Sequence, residues 1–109
     1  MPRDSSLYLT DILSCIGKVR EYTQDMSFES FRQDGKTQDA VIRNLEIIGE
    51  AARNLPVEFR ERTACVGWPD VIGFRNVIVH EYFGVDIQIV WDIAQHELDM
   101  LEKACRSLL

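Results

Sequence analysis

Little of this chain is cationic. Its 109 residues hold 12 Lys and Arg against 18 Asp and Glu, a formal net charge of −6. A protein that coats nucleic acid by neutralising phosphates needs a basic excess, so that class is excluded, although a local basic site is not. Long apolar runs are missing too, with nothing near the roughly 20 residues a membrane span requires. Met1-Pro2-Arg3-Asp4-Ser5-Ser6 leads into a polar-punctuated segment without an unbroken signal-peptide core. The three cysteines, Cys15, Cys65 and Cys105, are odd in number and widely spaced, which makes neither a disulfide framework nor a metal knuckle. They are expected as buried free thiols of a cytoplasmic protein that needs no metal. Internal repeats, low-complexity tracts and linkers are likewise lacking.

What is present is helical periodicity in a chain that is 46% apolar, enough for one globular domain over residues 1–109. A domain this small buries only about two thirds of its unfolded surface, so pairing with a second copy would help it. Leu9, Ile12, Ile16 and Val19, with Tyr22 at the end, form the stripe of a first helix from about Ser6 to Tyr22. Val41, Leu45, Ile48, Ala52 and Leu55 mark a second, starting near Thr37 or Gln38 and stopping before Pro56. Ile87, Val90, Trp91, Ala94, Leu98, Leu101 and Cys105 predict one further long helix, N-capped by Asp86. Ser27 caps a turn or two reaching Gln33. Pro56 and Pro69 suit first helical positions, predicting helices over Pro56–Arg62 and Pro69–Phe83. The β-branched run Val77-Ile78-Val79 is kept helical because Val71, Phe74, Ile78 and Tyr82 hold helical spacing and no second strand exists to pair with it. The expected fold class is all-α, a small helical bundle with about four principal helices plus short ones, and a symmetric homodimer.

The charge is unevenly spread. Asp86, Asp92, Glu97, Asp99 and Glu102 follow one another with no Lys or Arg between them. Arg53, Arg60, Arg62 and Arg75 outnumber Glu58, Glu61 and Asp70 in the middle of the chain. Any RNA-contacting surface is expected there, with Arg53, Arg60 and Arg62 as its contacts.

Of the two histidines, His96 sits on the polar flank of the last stripe, where a solvated or capping role is expected. His80 stands in Gly73-Phe74-Arg75-Asn76-Val77-Ile78-Val79-His80-Glu81-Tyr82-Phe83-Gly84-Val85-Asp86. On a helix, Arg75 and His80 lie about 140° apart around the axis and roughly 7.5 Å along it, whereas Arg75 and Tyr82 share a face. That spacing suits a site assembled between two copies of the helix better than one on a lone helix. Near a C-cap at Gly84, the helix dipole and Glu81 favour the imidazolium form of His80, and Arg75 opposes it. A histidine titrating near neutrality suits acid–base work, and an arginine offers a permanently charged fork for phosphate. Together they can cleave RNA without a metal. The 2′-hydroxyl attacks the neighbouring phosphorus, His80 moves the protons and Arg75 neutralises the developing charge, leaving a 2′,3′-cyclic phosphate. The same residues also admit a structural role, with Arg75 paired to Glu46 or Glu50, His80 hydrogen-bonded in the core and Tyr82 a core aromatic.

Arg75, four residues, His80, one residue and Tyr82 resemble the signature of HepT-like toxins in the HEPN superfamily. Trp68-Pro69-Asp70 before the motif, Phe83-Gly84-Val85-Asp86 after it and Arg43-Asn44-Leu45-Glu46-Ile47-Ile48-Gly49-Glu50-Ala51-Ala52-Arg53 earlier are similar to that family as well. The resemblance covers essentially the whole chain. It implies a helical homodimer with both motifs facing one cleft and a metal-independent endoribonuclease acting as the toxin of a type VII toxin–antitoxin pair. It further implies an antitoxin, a minimal nucleotidyltransferase that spends ATP to attach AMP to Tyr82. By position, Arg75 and His80 are then catalytic, Asn76 assists and Tyr82 is the modified residue. AMP on the Arg75 face would set phosphate where substrate phosphate should bind. A non-catalytic helical subunit that docks the nucleotidyltransferase would carry the same motif and stands as the alternative. The dimer face is expected to combine the Arg75–Tyr82 helix with part of the first or last helix.

Overall fold

Asp4 opens the first helix by accepting a hydrogen bond from the Ser6 amide at 2.9 Å. The computed structural model describes residues 3–74 and 86–109. Among these residues the order is α1 (Ser5–Tyr22), α2 (Phe28–Arg32), α3 (Gly35–Arg53), α4 (Val57–Arg62), α5 (Trp68–Ile72), α6 (Ile87–His96) and α7 (Leu98–Leu108), with no strand. The all-α expectation holds. No helix among the described residues is long and apolar enough to cross a membrane.

Local chemistry sets most boundaries. Ser27 and Ser30 form a reciprocal capping box that starts α2. Asp86 caps α6 as expected, accepting from the Gln88 and Ile89 amides. Helix α3 begins at Gly35, earlier than the sequence suggests. Asp34 is the cap, holding the Thr37 amide at 3.1 Å and the Thr37 hydroxyl at 2.8 Å, and this outweighs the poor helix propensity of glycine. Pro56 occupies the cap position of α4, one residue outside it.

Two expected long helices are interrupted. The stretch predicted over Pro69–Phe83 is broken at Gly73, where α5 ends: the amide still bonds Pro69 O at 2.9 Å, but a ψ of 10° takes the residue out of helical geometry. A Cβ at Gly73 would meet Pro69 O at 3.1 Å, a tight contact that the neighbouring backbone would have to relieve. Phe74 follows, buried, and the remainder of that prediction lies outside the described residues. The stretch from Ile87 to Cys105 divides at Glu97, whose φ of −111° departs from helical geometry while its amide still bonds Ile93 O. The division lets α6 pack against α1, α2 and α3 while α7 lies along α1.

The core joins these helices through one long element. Val41, Asn44, Leu45, Ile48, Gly49, Ala51 and Ala52 of α3 are buried, and α3 packs on α1, α2, α5 and α6. From α1 come Leu9, Ile12, Cys15, Ile16 and Val19. Fully burying one such aliphatic side chain contributes about 1.5–3 kcal/mol. Buried Asn44 is satisfied by donating to Ala40 O at 2.8 Å. At the rim, Arg20 of α1 donates to Glu102 of α7 at 2.8 Å and reaches Asp99, which holds the Glu102 carboxyl below its usual range. Two expectations fail at the surface. Tyr22 is exposed because it lies past the buried face of α1. Cys65 is exposed because it sits in the turn between α4 and α5. Cys15 and Cys105 are buried as expected, and burial raises both thiols, Cys105 to about 12, which closes them to nucleophilic chemistry at neutral pH.

Gly49 marks a close helix contact. A Cβ there would stand 3.0 Å from Val71 O and 3.2 Å from Ile72 O, so α5 can rest on α3 only against a bare backbone. Gly17, inside α1, has nothing within 4 Å of its Cβ position. Gly17→Ala should therefore stabilise the protein by about 0.5–1 kcal/mol through helix propensity alone. Gly49→Ala carries the same propensity gain but meets backbone, and overpacking costs of about 1–3 kcal/mol should leave it destabilised. Urea denaturation of the two variants should move the midpoints in opposite directions. A Gly49→Ala variant as stable as the parent would show that α5 can shift without cost.

Candidate functional site

The motif residues Arg75, Asn76, His80 and Tyr82 lie outside the described residues, as do Glu81 and Gly84. The structure does describe the frame from which that segment departs and to which it returns. It departs from Phe74, 3% exposed, at the end of the turn that closes α5. It returns at Asp86, whose carboxylate fixes the start of α6.

The departure point is built residue by residue. Pro69 supplies a preset backbone angle in the first turn of α5, and Asp70 places a carboxylate at the positive end of that short helix. Trp68 anchors it, buried to 3% exposure, with its indole Nε1 donating to the Thr63 hydroxyl at 3.0 Å. That hydroxyl donates in turn to Phe59 O at 2.8 Å, so one threonine joins α4 to α5. Gly49 holds α5 from the other side. The return point is held by aromatic packing, with the Trp91 ring of α6 centred 5.1 Å from Phe31 and 6.3 Å from Phe28.

The three arginines expected to contact RNA lie on α3 and α4. Arg53 ends α3, exposed, 3.9 Å from Glu50. Arg62 is exposed on α4 with its guanidinium 6.0 Å from the Phe59 ring centre. Arg60 is half-buried and lines a groove with Val57, Glu61, Ala64, Val66, Trp68 and Pro69, where its Nε has no hydrogen-bond partner among the described residues. Of the three, only Arg60 lines that groove. Glu46 and Glu50, the acids considered for Arg75, line a separate groove between α1 and α3 with Arg3, Tyr8, Asp11 and Arg43.

Residues on either side of the motif segment also form a cleft that sequence reasoning missed. Val66, Gly67, Asp70, Val71 and Phe74 make one wall, and His96, Glu97, Met100 and Leu101 make the other. Asp70, Phe74 and Glu97 also border a second, adjoining cleft with Ile89 and Ile93. His96 is exposed, as expected of a solvated residue, but it faces this shared space. No local pattern could announce the cleft, because its walls are 22 or more positions apart in sequence. No group of three or more His, Cys, Asp or Glu among the described residues could hold a metal ion.

Comparisons with known proteins define the class to which this helical frame belongs. The family model described as Ribonuclease HepT-like matches residues 12–108, a span that includes the whole motif. A Methanocaldococcus jannaschii protein named "Gamma-glutamylcyclotransferase and putative RNase" is 39% identical across all of this chain, which spans about half (49%) of that protein's length. A second protein of that organism, whose name carries the same RNase wording, is 44% identical over 85% of the chain and 78% of its own length. A Thermococcus cleftensis protein named "Probable ribonuclease HepT" is 39% identical over 94% of the chain and 93% of its own length. No solved structure matches. The chain belongs to the ribonuclease HepT-like family.

The Thr63 staple can be tested. Thr63→Val keeps the shape but strands the buried Trp68 N–H, which should cost about 1–3 kcal/mol in urea denaturation. Thr63→Ser keeps the hydroxyl and should lose less. A loss in Thr63→Ser with Thr63→Val as stable as the parent would assign the role to the methyl group instead.

Proposed function

We propose that the protein is the toxin of a toxin–antitoxin pair, a metal-independent endoribonuclease in which Arg75 and His80 do the chemistry. The observation that carries this reading is the Arg75-x4-His80 spacing within a chain that the ribonuclease HepT-like model matches from residue 12 to residue 108. The relatives' ribonuclease names support the substrate class. His80 takes the proton from the 2′-hydroxyl as the new O–P bond forms, and a proton is returned to the 5′-oxygen as the old P–O bond breaks. Arg75 neutralises the phosphate while its charge grows, and Asn76 adds a polar contact. Two copies of the chain bring their motifs to one cleft, because five residues' separation does not set Arg75 and His80 on one face of a single helix.

Tyr82 is the off-switch in this reading. A nucleotidyltransferase antitoxin moves AMP from ATP onto its hydroxyl, and the added phosphate competes for Arg75. The acidic balance of the chain fits an enzyme that cuts a few preferred sites without broad RNA affinity.

Purified protein with mass spectrometry showing Tyr82 bare should cleave RNA in excess EDTA. His80→Ala should reduce the rate by about 10²-fold or more, the usual contribution of a positioned acid–base group. Arg75→Ala should cost a comparable factor through lost charge stabilisation. If the unmodified parent is inert on both messenger and transfer RNA, the nuclease reading fails and a subunit that only docks the nucleotidyltransferase takes its place.

A further inference from the structure

We propose that the cleft between α5 and the α6–α7 junction is a guanine subsite for single-stranded RNA. The proposal rests on the ribonuclease reading and names the base that adjoins the cleaved linkage. Chain continuity provides the connection, since Phe74 lines the cleft and the motif begins at the next residue in the sequence.

The walls fit a base better than a phosphate or a metal. Val66, Val71 and Leu101 form a buried apolar floor, and Met100, 54% exposed, stands at the rim. The cleft volume of about 250 Å³ falls below the usual range for whole drug-sized ligands, which suits one planar ring system. Asp70 and Glu97 repel phosphate, and the described residues hold no cluster fit for a metal ion. Gly67 leaves the wall beside Asp70 open, since a Cβ there would already touch Asp70 Oδ2 at 3.5 Å.

The donor and acceptor pattern selects the base. Ionised carboxylates only accept hydrogen bonds. Guanine presents N1–H and N2–H side by side, two adjacent donors that match a carboxylate. Adenine and cytosine set an acceptor beside their donor, and uracil flanks its single N–H with two carbonyls. His96 can supply an N–H toward guanine O6 or N7, the acceptors that remain. Edges of this kind are open only where RNA is unpaired, which makes the substrate a loop or a single strand.

The test uses a ligand without phosphate, so that Arg75 has no part in it. Guanosine titrated into the full chain should shift the Gly67 amide and the Met100 methyl NMR signals saturably. It should bind about tenfold or more tightly than uridine, as expected for one good two-point base contact. Glu97→Gln and Asp70→Asn should each weaken guanosine about tenfold while leaving the melting temperature near the parent's. Equal shifts with uridine, unmoved Gly67 and Met100 signals, or unchanged affinity in both variants would overturn the proposal. Cleavage in EDTA without guanosine binding removes the subsite and leaves the nuclease. Guanosine binding without cleavage keeps the base site and removes the nuclease.

Discussion

The close seating of α5 on α3 governs the rest of the structure. Helix α3 packs against α1, α2, α5 and α6, so it sets the position of nearly every other element. At Gly49 its backbone meets the carbonyls of Val71 and Ile72 with no side chain between. Moving α5 outward would pull on Trp68, whose indole is tied through Thr63 to α4, and on buried Phe74, from which the motif segment departs. A position in the middle of the core helix therefore governs where the motif segment begins.

Much of the fold was legible in the sequence, for reasons that are local. The apolar stripe of α1 and the caps Ser27 and Asp86 stand where spacing and side-chain chemistry put them. The misses also have local causes. Glycine at position 35 argues against a helix start, yet Asp34 binds Thr37 twice and outweighs that cost. Gly73 was read as part of a helix because the apolar spacing runs through it, and the break is a ψ of 10° that leaves its amide on Pro69 O as in a helix, so spacing could not show it. The division at Glu97 leaves the apolar periodicity intact, so periodicity could not reveal it.

The functional site divides differently. Arg75, His80 and Tyr82 stand out in the sequence by spacing and by resemblance, and the family assignment spans them. Arg53, Arg60 and Arg62 stood out only by charge, and of the three Arg60 lines the groove beside Trp68. The cleft was invisible beforehand because Asp70 reads as a helix-start acid and His96 as a solvated residue. Packing sets both on the cleft that Phe74 lines.

The distribution of thiols has an experimental consequence. Cys65 lies exposed in the turn beside α5, whereas Cys15 and Cys105 are sealed in the core and carry raised thiols. An alkylating dye applied to the native protein can thus mark one position, a step from the cleft wall at Val66. The sealed pair then works as an internal clock, since the rate at which they become alkylated reports how often the helices come apart.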